Sequence, residues 1–254
     1  MKLDFRNREA VPHTPSKGCC VKWYVHEERR FYKTSSFRNG WDESTSEQLV
    51  TDLLEGSPFP FVAYKPCVID FIYRNEERTE PGVWCSSFLS EGETYVDMFG
   101  VLENKKAVNK FDNRMSVKER YDFTIDALSC CVGSDVRPFI NFMMSMDFVI
   151  GNRDRHCGNF GLVKQPDGKY RLAPIFDNGL SLWAQGYAPG DESDPFSSIA
   201  KTQITHTKSK QFLDFIDTRP LSDILQKYEK AVNTRALEKF MRERIAYLRE
   251  ITTA

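Results

Sequence analysis

Residues 147–179 read DFVIGNRDRHCGNFGLVKQPDGKYRLAPIFDNG, and three polar residues in this stretch stand at informative intervals. Asp154 lies in a polar loop that follows an apolar run, Asn159 comes five positions later, and Asp177 comes eighteen positions after Asn159. Taken singly, each of these residues is compatible with an Asx turn or a helix cap. Their meaning therefore depends on whether the chain brings them together.

The segment between Asn159 and Asp177 predicts a β-hairpin. Two short apolar runs, residues 160–164 and 170–174, flank Pro166-Asp167-Gly168, which is typical of a tight turn. Because a hairpin folds back on itself, we expect Asp177 to return close to Asp154 and Asn159. Gly179 is expected to let the backbone bend after Asp177.

Two acids and one amide at these intervals suit phosphoryl transfer. One carboxylate orients an attacking hydroxyl and accepts its proton, while a carboxylate and an amide oxygen hold Mg²⁺ against nucleotide phosphates. The protein-kinase pattern D-x-x-x-x-N followed by D-F-G has this form. Here it reads Asp154-x-x-x-x-Asn159 and then Asp177-Asn178-Gly179.

The words Asn152-Arg153-Asp154-Arg155-His156-Cys157-Gly158-Asn159 and Pro174-Ile175-Phe176-Asp177-Asn178-Gly179 resemble the catalytic core of HipA-like bacterial serine/threonine kinases. The resemblance covers roughly residues 15 to 200. It implies an α+β, bilobed, protein-kinase-like fold, with a β-rich N-terminal lobe over residues 1–102 and a mainly helical catalytic lobe over residues 103–254.

The resemblance also implies roles. Asp154 would be the catalytic base, Asn159 and Asp177 would hold Mg²⁺, and ATP would be the phosphoryl donor. Arg155 is expected either to offset phosphate charge or to form a structural salt bridge. His156 is expected to hydrogen-bond the loop backbone.

Lys33 and Glu47 are the remaining catalytic candidates. Lys33 lies in a predicted strand, and Ser44-Thr45-Ser46-Glu47 is a capping-box pattern that opens a helix ending near Glu55. A strand lysine followed by a helix with an early glutamate is the layout of the kinase Lys–Glu pair. Glu47 is expected to pair with Lys33, although capping its own helix competes for the same carboxylate, and Glu43 is the substitute.

The rest of the nucleotide site is predicted from topology. Residues 19–25 and 30–34 form a hairpin pattern, and Ser16, Lys17 and Gly18 just before it are candidate phosphate contacts. The kinase motif G-x-G-x-x-G is missing, as it is in HipA-like proteins. Adenine is expected near residues 97–100, where the chain crosses between lobes.

The flanking segments have simpler predictions. Residues 1–15 are expected to form a loose arm, and the charged run 75–82 a turn. Ser116-Val117-Lys118-Glu119 is a capping box that opens a helix ending near Gly133. Residues 139–150 predict a buried helix that aims the catalytic loop. The lysines of residues 201–210 would bind a phosphate or an acidic substrate, or simply form a solvated face.

Composition excludes several other classes. The chain has 254 residues, 41% of them apolar and 28% charged, and a net charge of −1, so neither nucleic acid nor a membrane is an expected partner. Its seven cysteines lack a C-x-x-C motif, which indicates reduced thiols and a cytoplasmic location. Export by a non-classical route is the alternative left open.

The acceptor is expected to be a protein, with the chain itself as one candidate. The short form resembles stand-alone, CtkA-type kinases that phosphorylate themselves, because little sequence precedes the first hairpin. Many HipA-like proteins belong to toxin–antitoxin systems, so an antitoxin is another candidate partner. Self-acceptors near the phosphate loop are Thr14, Ser16, Thr34, Ser35 and Ser36. Two alternatives stay open: a lipid or small-molecule kinase, and a nucleotide-binding pseudokinase that acts through a partner.

Overall fold

The structure is a computed structural model that describes residues 1–8, 20–35, 42–104, 115–152, 154–182 and 205–253. The strands are β1 Lys2–Asp4, β2 Lys22–Val25, β3 Arg30–Thr34, β4 Lys65–Tyr73, β5 Glu76–Ser86, β6 Thr94–Asp97, β7 Gly161–Lys164 and β8 Tyr170–Leu172. The helices are α1 Glu43–Leu54, α2 Met98–Asn104, α3 Val117–Val132, α4 Arg137–Ile150, α5 Lys210–Asp217, α6 Leu221–Gln226 and α7 Thr234–Thr253.

The first part of the chain forms a five-stranded sheet in the order β1-β4-β5-β3-β2. Strand β1 pairs with β4 in parallel, so the prediction of a loose arm is wrong for Lys2–Asp4. The predicted turn over residues 75–82 is also wrong, because β5 already begins at Glu76. The chain reverses at Arg74 and Asn75, which both have positive φ values. Charged residues occupy β5 here because this end of the sheet is exposed.

The second sheet contains the predicted catalytic hairpin. Its strand order is β6-β7-β8, and both pairings are antiparallel. The turn prediction is confirmed, since Gly168 has a φ of 84° and its N–H donates to the Gln165 carbonyl. Residues beyond β8 return towards the first sheet, where Ile175 forms an isolated bridge with Phe61.

The helices surround the largest hydrophobic core. Helix α4 lies at its centre, with Phe142, Met143 and Val149 fully buried, as its apolar sequence predicts. The capping box at the start of α3 is confirmed: the Glu119 N–H donates to Ser116 Oγ, and the Ser116 N–H donates to the Glu119 carboxylate. The α+β fold class is therefore confirmed, while the division at residue 102 stays a prediction. No helix in the described parts of the chain has the length and apolar character needed to cross a membrane.

Candidate active site

Lys33, Glu47 and Asp177 meet in the space between the first sheet and the C-terminal helices. Lys33 Nζ donates to Glu47 Oε1 and lies 3.1 Å from Asp177 Oδ1. Lys33 is 7% exposed and Glu47 is fully buried. Burial by itself would lower the pKa of Lys33, but the two carboxylates outweigh it and raise that pKa well above its usual range. The Lys33 side chain therefore remains positively charged.

Asp42, which the sequence motifs did not single out, decides whether Glu47 caps α1 or pairs with Lys33. Asp42 is the N-cap of α1 and accepts from the Thr45 N–H at 2.9 Å, so the capping-box prediction for Ser44 and Glu47 is wrong. With Asp42 as the cap, the Glu47 carboxylate is available for Lys33. The Glu43 carboxylate accepts from Cys20 Sγ at 2.9 Å.

Asp177 lies where the chain leaves the hairpin. Gly179 was expected to let the backbone bend, but the residue with a positive φ in this segment is Asp177, at 56°. Gly179 serves close packing, because a Cβ there would lie 3.1 Å from Glu43 Oε2 and 3.2 Å from the Glu43 Cβ. Burial raises the pKa of Asp177, but the nearby charges of Lys33 and Lys22 outweigh it and hold this pKa below its usual range. Asp177 is therefore an anion.

Asp154 and Asn159 lie together in the loop that follows α4. Asn159 Nδ2 donates to the Asp154 carbonyl at 2.8 Å and lies 3.4 Å from Asp154 Oδ2. Asn159 is 1% exposed, and its Oδ1 has no hydrogen-bond partner within the described ranges. A buried amide oxygen without a donor is costly unless something else binds it. Asn159 lies beside the Asp154 carboxylate and lines the same cleft as Asp177, so this set of oxygen ligands fits Mg²⁺.

The Asp154 carboxylate is the accessible member of this group, with its side chain 31% exposed. Partial burial raises its pKa, and the Asp177 carboxylate adds to this effect, while His156 opposes it. His156 accepts from the Gly158 N–H through Nδ1 at 2.9 Å, so it does bond the loop backbone as expected.

Arg155 connects the loop to the Asp177 segment. It is 2% exposed, its Nε donates to Asp147 Oδ2 at 2.9 Å, and Nη1 donates to the Asn159 and Phe176 carbonyls. Nη2 donates to Asn178 Oδ1 at 2.6 Å. Of the two expected roles, this geometry matches the structural salt bridge. Arg155 fixes the spacing between the predicted base and the predicted metal ligands.

A cleft with a volume of about 300 Å³ opens beside this cluster. One wall is apolar, with Phe31, Val83 and Cys85 of the first sheet, and Phe176 also lines the cleft. Its lining includes Ser86–Leu89, which is the last residue of β5 and the segment directly after it. Residues 97–100, where adenine was expected, do not line this cleft: they are the end of β6 and the start of α2, with the Gly100 N–H donating to Asp97.

Lys22 is a cleft residue that sequence reasoning missed. It lines the same cleft and lies directly opposite Lys33 in the pairing of β2 with β3, so both lysines project from one face of the sheet. The signal was present in the hairpin pattern, because the register of β2 against β3 places these two lysines side by side. Two cations at this end of the cleft suit a polyanionic ligand.

Several predicted residues lie elsewhere. Ser16, Lys17 and Gly18 are outside the described residues, as are the self-acceptor candidates Thr14, Ser16 and Ser36. Thr34 and Ser35 are described and buried, at 0% and 6% exposed, which does not suit a phosphate acceptor. Lys208 donates to the Ile251 carbonyl and Lys210 lies 2.7 Å from Asp214, so both have structural partners.

Comparisons with known proteins find similarity to a kinase. No family model matches the chain. A curated protein, the serine/threonine-protein kinase CtkA of Helicobacter pylori strain J99, is 46% identical over 44 residues, a stretch that spans 17% of this chain and 14% of that relative. The crystal structure of a Helicobacter pylori proinflammatory kinase CtkA is similar over 100% of this chain and 99% of that one, with a TM-score of 0.60 and 18% identity.

The resemblance seen in the sequence is thus confirmed as a likeness to CtkA, and the fold is kinase-like. The structural match extends over the whole chain, whereas the sequence match is confined to a short stretch.

Proposed function

We propose that this protein is an ATP- and Mg²⁺-dependent phosphotransferase, and specifically a protein serine/threonine kinase that can phosphorylate itself. The observation that carries the proposal is the meeting of Lys33, Glu47 and Asp177 beside Asn159, whose buried Oδ1 lacks a donor among the described residues. This group lies at one end of a cleft with an apolar wall.

The cleft would take the nucleotide with its base among the apolar side chains. Phe31, Val83 and Phe176 offer the flat, apolar surfaces that an adenine ring requires. Ser86–Leu89 line the same space and would meet the edge of the base. The triphosphate would then extend towards Lys33 and Lys22, whose charges offset those of the phosphates.

Asn159 and Asp177 would hold Mg²⁺. Both ligands are oxygens, and the lowered pKa of Asp177 keeps it ionised. When bound, the ion neutralises charge on the phosphates and orients them. Lys33 contacts Asp177 directly, so the predicted phosphate cation and the predicted metal ligand are fixed relative to each other.

Asp154 would act on the acceptor. A serine or threonine hydroxyl enters beside the exposed carboxylate, its oxygen forms a bond to the γ-phosphorus, and the bond between that phosphorus and the β–γ bridging oxygen breaks. The hydroxyl proton passes to Asp154, and ADP leaves. Arg155 keeps Asp154 at a fixed distance from Asp177 through its bonds to the Asn159 and Phe176 carbonyls.

A protein acceptor is supported by the likeness to CtkA, which is a serine/threonine-protein kinase. Self-phosphorylation would then use a hydroxyl outside Thr34 and Ser35, because these two are buried. An antitoxin protein is a second proposed partner, for which we assign no binding surface on this chain.

The test is incubation of the purified chain with γ-³²P-labelled ATP, with Mg²⁺ or with EDTA, followed by mapping of the labelled residue. We expect Mg²⁺-dependent label on a serine or threonine, and a loss of about 10²–10⁴-fold in Asp154→Asn. Panels of inositol lipids and aminoglycosides run in parallel identify a non-protein acceptor. Full transfer by Asp154→Asn would contradict the assignment of the base.

A further inference from the structure

Helix α1 carries Glu47, yet its apolar face packs with the C-terminal helices. Leu49, Val50, Leu53 and Leu54 are at most 3% exposed and belong to the same core as α4. The two smaller cores of the first sheet contain none of these four residues. The position of Glu47 therefore depends on how α1 is seated against the C-terminal helices.

The last turn of α1 is bound by two cations from a segment more than 160 residues away. Arg219, between α5 and α6, donates through Nη2 to the Asp52 carbonyl at 2.8 Å. Lys227, directly after α6, lies 3.0 Å from Asp52 Oδ2. Arg219 also lies 3.9 Å from Glu55, at the C-cap of the helix.

These contacts stabilise the C-terminal end of α1, which has no cation of its own. The final four carbonyls of a helix have no partner within it, and its C-terminus carries a partial negative charge that cations stabilise. Helix α1 has no basic residue in its last turn. Arg219 satisfies one of these carbonyls, and its side chain is 18% exposed, so solvent screens the contact only partly.

The other half of α1 is tied to the Asp177 segment. Glu47 Oε2 accepts from the Asn178 N–H at 3.1 Å, and Ser46 Oγ donates to the Ser181 carbonyl at 2.9 Å. Helix α1 also packs on β4 and β5 of the first sheet, and it is hydrogen-bonded there to Lys33, to Ser35 directly after β3 and to the Tyr64 N–H directly before β4. Helix α1 is thus held at both ends by the part of the chain that follows residue 176.

We propose that Arg219, assisted by Lys227, is a positioning residue that keeps α1 in the orientation in which Glu47 engages Lys33. This inference rests on the proposed phosphotransferase function. Arg219 touches neither substrate nor reacting atoms and acts through Glu47. The consequence is a kinase whose Lys33–Glu47 pair is formed by a fixed contact within the fold, without a nucleotide or a modification to bring α1 into place.

The experiment compares Arg219→Gln with Arg242→Gln, which removes the same charge from an exposed pair with Glu238 on α7. Phosphoryl transfer by Arg219→Gln should fall about 2- to 30-fold, with a raised KM for ATP, while the control keeps wild-type rates. Arg219→Lys should recover part of the loss, because it retains the charge at the helix end. Lys227→Gln should show a smaller loss, since this side chain is 59% exposed.

A double-mutant cycle separates positioning from general destabilisation. In the Glu47→Gln background, Arg219→Gln should change the rate by less than about twofold, because the partner through which it acts is already lost. The same fold-loss in both backgrounds, or no loss in the single variant, would overturn the proposal.

Hydrogen exchange provides a readout that does not need activity. Arg219→Gln should accelerate exchange along α1 as far as the turn that carries Glu47, and faster exchange limited to the final turn would also overturn the inference. If the wild-type chain transfers no phosphate at all, the proposed function fails. The exchange result then still decides whether Arg219 holds α1.

Discussion

Replacing Arg155 by methionine removes the side chain that joins the Asp154 loop to the Asp177 segment. Arg155 is 2% exposed and its partner Asp147 is fully buried, so the substitution leaves a buried carboxylate whose remaining side-chain donor is Asn152 at 2.8 Å. Removing one partner of a buried ion pair costs about 3–5 kcal/mol. With a slope of about 3 kcal/mol/M, the urea midpoint should fall by about 1–2 M.

The matched double variant, Arg155→Met with Asp147→Asn, separates stability from activity. It removes both charges and keeps an amide oxygen for Asn152, so at least half of the lost stability should return. Phosphoryl transfer should not return, because the bonds to the Asn159 and Phe176 carbonyls are still missing. Urea unfolding followed by tryptophan fluorescence and labelled-ATP assays give the two readouts.

Two results would refute this reasoning. A stability loss below about 1 kcal/mol in Arg155→Met would mean that the buried Arg155–Asp147 ion pair contributes no more than an exposed ion pair does. Full recovery of transfer in the double variant would mean that Arg155 does not set the distance between Asp154 and Asp177.

Three further substitutions test separate features. Lys22→Gln should raise the KM for ATP by about tenfold without changing the melting temperature, because it removes a cation from the phosphate end of the cleft; an unchanged KM in steady-state assays would exclude that role. Gly179→Ala should lower the free energy of unfolding by about 1–3 kcal/mol and lower the transfer rate, since its Cβ would lie 3.1–3.2 Å from Glu43 atoms. Wild-type stability in thermal melts would show that α1 moves to accommodate the methyl group without cost. Ser116→Ala should cost about 0.5–2 kcal/mol through the lost capping box and leave transfer unchanged, so a reduced rate would link α3 to the site.

The hairpin and its flanking polar residues could be predicted because the information is local. The turn residues at Pro166-Asp167-Gly168 and the alternation of apolar runs fix the return of the chain, and the spacing then brings Asp177 back. The capping box at Ser116 and Glu119 could be predicted for the same reason. Each of these features depends on residues that are close in sequence.

The remaining features could not be predicted, because they depend on residues far apart in the chain or on a choice between competing local motifs. Ser86–Leu89 line the cleft, although no motif in this stretch indicates a binding role. Ser44 and Glu47 were interpreted as a capping box because Asp42, which is the N-cap of α1, was overlooked. The Arg219 contact to α1 joins residues 167 positions apart, and no periodicity reports such a contact.

Strand β1 was missed for a related reason. Its three residues, Lys2–Asp4, are too few to show an alternating pattern, and they are held by parallel pairing with β4. The phosphate contacts predicted at Ser16, Lys17 and Gly18 lie outside the described residues and stay predictions.

Metal binding by Asn159 and Asp177 tests the proposed site most directly. Electron paramagnetic resonance of Mn²⁺ in the presence of ADP measures affinity for the ion, and Asn159→Ala and Asp177→Asn should each weaken it at least tenfold. Nucleotide affinity measured without metal should stay at the wild-type level in Asn159→Ala, because the apolar residues proposed to hold the base, Phe31, Val83 and Phe176, are unchanged. Wild-type Mn²⁺ affinity in both variants would contradict the assignment of these residues as the metal ligands of a kinase.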